Sequence, residues 1–156
     1  MRPATRAKIE SLFERYPHKR GALLPAIYLL QEEQGHVDAD GARELAALFE
    51  IQPVDVWEVL SFYNMFYTEP QGRHHVYVCT NLPCSLRGAR TLLKGLESHL
   101  GVHGPGTTQD GRITIGHEEC LGSCGTAPMM QVNEDYYERL TEEKFDRILA
   151  DLKKDG

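Results

Sequence analysis

The sequence predicts an α+β chain in two parts: a small N-terminal helical bundle over residues 1–70, then a βαβ-ββα domain over residues 71–156. Three observations predict it. Apolar residues recur at helical spacing through the first 70 positions. After the turn-like Glu69-Pro70-Gln71-Gly72, β-rich runs alternate with helical ones. All four cysteines fall in this second part, at the ends of predicted strands.

In the first part, Ile9, Leu12, Phe13 and Tyr16 form one face of a helix that Pro17 stops. A second helix is expected over residues 23–34, with Pro25 in its first turn and Gly35 just past its end. Asp38 is placed to cap a third, which turns Leu45, Leu48 and Phe49 inward. Pro53 opens a fourth, with Val56, Val59, Leu60 and Tyr63 on its apolar side.

In the second part, residues 74–80 (HHVYVCT) read as a strand, residues 85–100 as a helix through Leu86, Ala89, Leu92, Leu93 and Leu96, and residues 112–117 as a strand around Ile113 and Ile115. Two further strands, near 129–132 and 136–140, flank an Asn-Glu-Asp turn, and Thr141 caps a closing helix that uses Phe145, Ile148, Leu149 and Leu152. A βαβ crossover followed by a hairpin and a helix is the thioredoxin-like arrangement.

Composition excludes several classes of function. Seventeen Lys and Arg against 23 Asp and Glu give a net charge of −6, the wrong sign for holding a phosphate backbone, so no nucleic-acid partner is expected. No run approaches the roughly 18 apolar residues that cross a bilayer. No apolar stretch of a secretory signal follows Arg2, Arg6 and Lys8, which points to a reducing, cytoplasmic setting where thiols stay free for metal.

The cysteines are spaced Cys79-x4-Cys84 and Cys120-x3-Cys124. Parallel strands of a βαβ unit end at the same sheet edge, so the two loops should converge and bring four thiolates together. An anionic four-thiolate iron-sulfur centre needs hydrogen-bond donors and dipoles around it. A helix start near Ser85 and the glycine-rich Leu121-Gly122-Ser123-Cys124-Gly125 are placed to supply them. A structural zinc site prefers Cys-x2-Cys knuckles, dithiol catalysis needs Cys-x-x-Cys, and a Rieske centre replaces two cysteines by histidines. The spacing favours a 2Fe-2S centre, with zinc and paired disulfides as rivals.

Residues 78–88 (VCTNLPCSLRG) and 119–133 (ECLGSCGTAPMMQVN) closely resemble the thioredoxin-like 2Fe-2S subunit of respiratory NADH:quinone oxidoreductase, complex I. Gly106-Thr107-Thr108, Asp110-Gly111, Tyr136-Tyr137, Gly21-Ala22-Leu23-Leu24-Pro25 and Ser61-Phe62-Tyr63 extend the resemblance to nearly the whole chain. The resemblance implies one 2Fe-2S cluster, with Cys79 and Cys84 on one iron and Cys120 and Cys124 on the other. It also implies a flavin- and NADH-binding partner subunit carrying the FMN and the NADH site, and a place peripheral to the inner face of the cell membrane. The small subunit of a soluble NAD-dependent formate dehydrogenase or hydrogenase carries the same module and is the alternative within the class. A zinc-stabilised interaction module is the alternative from another. No Gly-x-Gly-x-x-Gly follows a strand, so NADH oxidation is not expected of this chain alone, nor does any residue read as a general base or nucleophile.

Other conspicuous residues have plainer expectations. Trp57, Phe62, Tyr63, Phe66 and Tyr67 read as packing aromatics of the last bundle helix against the cysteine-bearing domain, His74-His75 as a solvated strand edge, and the basic residues before position 21 as a solvated helix face. Met129 and Met130 are expected to fill apolar space behind the cysteine loop.

Overall fold

A computed structural model of the chain describes residues 1–154, with side chains through Leu152. These residues gather into two compact units, one of Met1–Pro70 and one of the described residues from Gln71 on.

The first unit holds helices α1 (Pro3–Leu12), α2 (Leu23–Gln34), α3 (Ala39–Phe49) and α4 (Pro53–Phe62). The first predicted helix was to reach Tyr16. It instead tightens to a 3-10 turn over Phe13–Arg15, and Tyr16 is extended at φ −126°, because Pro17 disfavours the helical conformation in the residue before it. Gly35 ends α2 at φ +81°, the left-handed conformation in which its N–H reaches the Gln31 carbonyl at 2.7 Å. Ile9, Leu23, Ile27, Leu30, Leu45, Val56 and Leu60 make the core, all at most 2% exposed. Of the five aromatics, Phe66 is buried, with Tyr28 and Tyr63 packed edge-on at 5.0 and 6.2 Å, whereas Phe62 is 78% exposed. The early basic residues stay at the surface in ion pairs such as Arg6–Glu10 and Lys19–Glu50.

Asp38 caps α3 by accepting from the backbone N–H groups of Asp40 and Gly41 at 3.0 and 2.8 Å. The bond from Gly41 is the main reason its carboxyl sits below the usual value of 3.8. A carboxyl more acidic folded than unfolded stabilises fully above its unfolded pKa, and that stabilisation is lost as pH falls through the folded value. Asp38→Asn keeps a capping oxygen without the titration. Wild type should therefore melt at or above the variant at neutral pH, and the difference should shrink below about pH 4 in thermal melts followed by circular dichroism.

The second unit is a five-stranded sheet in the order β2-β3-β1-β4-β5, from β1 (His74–Cys79), β2 (Gly106–Thr107), β3 (Ile113–Glu118), β4 (Met130–Val132) and β5 (Asp135–Tyr137). β1 and β3 are parallel, in register from His74 opposite Ile113 to Cys79 opposite Glu118. β4 runs antiparallel to β1, and β5 to β4. Val76, Val78, Leu96, Ile115, Met129, Met130, Phe145 and Leu149 share one core. Both methionines are fully buried, as expected.

Four local expectations are corrected. The helix predicted over 85–100 is two helices, α5 (Leu82–Leu86) and α6 (Ala89–Leu100), because Gly88 adopts φ +89° between them. β2 is an unpredicted edge strand, two residues long and too short to show a period. The last strand ends at Tyr137, since Arg139 takes φ +47° and breaks the extended run. His74 is buried, 8% exposed, because it shares the inward positions of β1 with Val76 and Val78; its Nε2 has no hydrogen-bond partner. The closing helix α7 (Glu142–Lys154) follows the Thr141 cap, whose Oγ1 accepts from the Lys144 N–H at 3.3 Å.

Candidate metal centre

β1 delivers Cys79 as its last residue, and α5 follows at once with Cys84 inside its single turn. The sequence reading placed Cys84 ahead of a long helix; the break at Gly88 puts it within the short one instead. The Thr80 N–H bonds the Glu118 carbonyl at 2.9 Å and the Ser85 hydroxyl bonds the Thr80 carbonyl at 2.8 Å, so the chain stays pinned to the edge where β3 also ends. Beyond β3 the loop carries Cys120 and, at the start of a 3-10 turn over Cys124–Thr126, Cys124. Cys79 and Cys84 are 2% and 1% exposed, while Cys120 and Cys124 face solvent.

All four thiols are free, and they lie close enough for each to alter its neighbour's ionisation, in a string that runs Cys84, Cys79, Cys120, Cys124. Backbone groups favour charge along the string: those of Leu121 and Asn81 favour the Cys79 thiolate and that of Met129 the Cys84 thiolate, and the Gly122 N–H reaches the Cys120 Sγ at 3.4 Å. Gly122 makes this approach at φ +81°, where a side chain would be strained.

The electrostatics follow from this crowding. Burial pushes the Cys79 thiol up, but its bonds from Leu121, Asn81, Cys84 and Cys120 outweigh burial and leave it below the usual thiol value. Burial, then the Cys79 hydrogen bond and charge, push Cys84 up to about 11. Cys124 is raised by its hydrogen bond to Cys120 and by that neighbour's charge. The Cys79 thiolate forms more easily than that of a free cysteine, while those of Cys84 and Cys124 are resisted, so full deprotonation calls for a strongly positive partner. Among the described residues no three His, Cys, Asp or Glu side chains are grouped to hold a single metal ion. A string of two thiol pairs with converging backbone donors suits a 2Fe-2S cluster, in which each iron takes two protein ligands.

A family model for the thioredoxin-like [2Fe-2S] ferredoxin matches residues 9–153. The chain belongs to this family. Among ferredoxin relatives, it is 40% identical over 148 residues to an NADH-quinone oxidoreductase subunit of Rhizobium meliloti (strain 1021), a match that covers 95% of this chain and 88% of that protein. It is 37% identical over 149 residues to an NADH-quinone oxidoreductase subunit of Rickettsia felis (strain ATCC VR-1525 / URRWXCal2), covering 94% and 89% of the two. In fold it matches a chain in the crystal structure of an NAD+-reducing [NiFe]-hydrogenase in the H2-reduced state, with a TM-score of 0.74 at 22% identity. That match takes in 86% of this ferredoxin but 22% of the hydrogenase chain.

Sequence reasoning missed the side chains that fasten the ferredoxin's second cysteine loop. The Tyr136 hydroxyl bonds the Leu121 carbonyl at 3.0 Å, and the Glu138 carboxylate accepts from the hydroxyls of Ser123 and Thr126. The signal was available in part, since the β4–β5 hairpin brings the residue after Tyr137 back beside the residues before Met130. His117, by contrast, is exposed on β3 opposite Val78 and takes no part in the thiol string.

Proposed function

We propose that the chain is the 2Fe-2S electron-transfer subunit of an NADH:quinone oxidoreductase, that Cys79, Cys84, Cys120 and Cys124 hold its one cluster, and that residues 1–70 and 71–156 are its two domains. The observation that carries this reading is the meeting of four free thiols at the common end of the parallel strands β1 and β3. When bound, the cluster supplies one-electron transfer at iron. The chain's own part is to bind and tune. Cys79 and Cys84 offer a buried, low-dielectric side, and Cys120 and Cys124 a side open to a partner. The backbone donors of Leu121, Asn81, Met129 and Gly122 point at sulfur and offset negative charge there. The place that goes with this reading is peripheral, at the inner face of the cell membrane; among the described residues no helix is long and apolar enough to cross a membrane. The electron donor on this reading is a flavin- and NADH-binding partner subunit, because the four cysteines equip this chain for electron transfer and no dinucleotide fingerprint follows its strands.

Anaerobically purified protein should hold about two irons and two acid-labile sulfides per chain and give, on reduction, the EPR signal of a 2Fe-2S centre. A colourless protein with one tight zinc and no iron would sink the proposal. Native purification should bring down a flavoprotein together with quinone-reducing subunits; formate- or hydrogen-oxidising subunits in their place would assign the chain to a soluble NAD-linked enzyme.

A further inference from the structure

The residues on either side of Cys124 are tied together by one side chain from another part of the sheet. Glu138 is half-buried, and its Oε1 accepts from the Ser123 hydroxyl and, at 2.7 Å, from the Thr126 hydroxyl. Those two hydroxyls lie 2.6 Å apart, and Thr126 Oγ1 is also 3.1 Å from the Ser123 carbonyl. The neighbours of Glu138 grip the same stretch through the backbone. Arg139 donates its N–H to the Thr126 carbonyl at 2.8 Å from a left-handed φ of +47°, which a non-glycine residue adopts at a cost, and Leu140 donates to the Pro128 carbonyl at 3.0 Å. The bonds from Ser123 and Thr126 hold the Glu138 carboxyl below the usual carboxylate range, so the clamp on the residues flanking Cys124 is an anion receiving two hydroxyl donors.

We propose that Glu138 is a positioning residue for the second cysteine loop, fixing Ser123 and Thr126 so that Cys124 is presented in a metal-ready place before any metal arrives. This rests on the reading of the four cysteines as cluster ligands. Two consequences separate position from charge. Glu138→Gln keeps an acceptor for the hydroxyls and removes the charge, whereas Glu138→Ala removes both. Loss of a nearby negative charge favours the reduced, more negative centre in both variants, and a tenfold shift toward the reduced form is a rise of 59 mV.

The test uses the full chain. In metal-free protein, amide exchange over residues 121–126 should be at least tenfold faster in Glu138→Ala than in wild type, and in Glu138→Gln it should stay near wild type. With the cluster bound, Glu138→Ala should shift the EPR g-values, Glu138→Gln should restore them, and both should raise the midpoint potential. The Ser123→Ala/Thr126→Ala pair leaves the carboxylate and removes the hydroxyls, and should reproduce the exchange and g-values of Glu138→Ala at an unraised potential. Wild-type exchange and g-values in Glu138→Ala, or in the double variant should the first fail to fold, would overturn the proposal, as would a Gln variant that rescues neither. A wild-type chain that binds no cluster would instead defeat the ligand reading, while the exchange comparison would still judge the clamp.

Discussion

Cys84→Ser protein should lose its cluster or hold one with a changed EPR signal, with a loss of metal affinity beyond the roughly 10–100-fold that losing an outer-shell partner costs. Cys84 is 1% exposed inside α5, bonded to the Cys79 thiol and to the Met129 backbone, so a serine hydroxyl there has neither the softness nor the acidity to replace it. Cys120→Ser, on the open side of the string, should also perturb or abolish the signal. His117→Ala is the control: an exposed side chain of β3 outside the thiol string should leave the spectrum intact. An altered cluster in the histidine variant alone would overturn the four-cysteine ligand set. Iron and sulfide analysis with EPR of the reduced proteins reads all three.

Gly72→Ala should destabilise the second unit by about 2–3 kcal/mol, the upper part of the range for overpacking a filled interior. A Cβ at Gly72 would lie 2.7 Å from the backbone C of Ile113 and the backbone N of Thr114. Backbone of a paired strand cannot step aside as a flexible side chain can, and β3 is held between β2 and β1. The same move would disturb the 2.6 Å bond from the Gly72 N–H to the Thr114 hydroxyl, which also lies 2.8 Å from the Thr107 hydroxyl and so ties the edge strand β2 to β3. A melting midpoint lowered by roughly 10 °C is expected for a unit of this size. An unchanged midpoint would show that the N-terminal lead into β1 is free to shift.

The bundle was legible because its punctuation is local. Gly35, Asp38 and Pro53 each set a helix end through their own backbone or side-chain chemistry, so α2, α3 and α4 fall where periodicity and caps together put them. The cysteine centre was legible for a topological reason: two strand ends of a parallel pair share an edge whatever the detail of the loops. What escaped depends on distant partners. Gly88 sits within an unbroken run of helical spacing, and only the backbone conformation it adopts divides α5 from α6. His74 looked like a polar edge residue because strand period alone does not say which face is buried. The grip of Glu138 on Ser123 and Thr126 depends on the hairpin register, which pairs Met130 with Tyr137 and which no short window of sequence contains.

The parallel pairing of β1 with β3 also bears on the order of events in making the working protein. Cys79 and Cys120 are 41 positions apart, so a chain in which β1 and β3 have not yet paired presents two separate dithiols with no common site. Closing that long loop carries an entropic cost before any contact rewards it, and pairings of this kind form late and slowly. On the proposed four-cysteine ligand set, cluster insertion would wait on the completed sheet: a biosynthetic carrier that delivers iron and sulfide only to four converged thiols would in effect proofread the fold, passing over nascent or misregistered chains and loading those in which the last long-range contacts have closed.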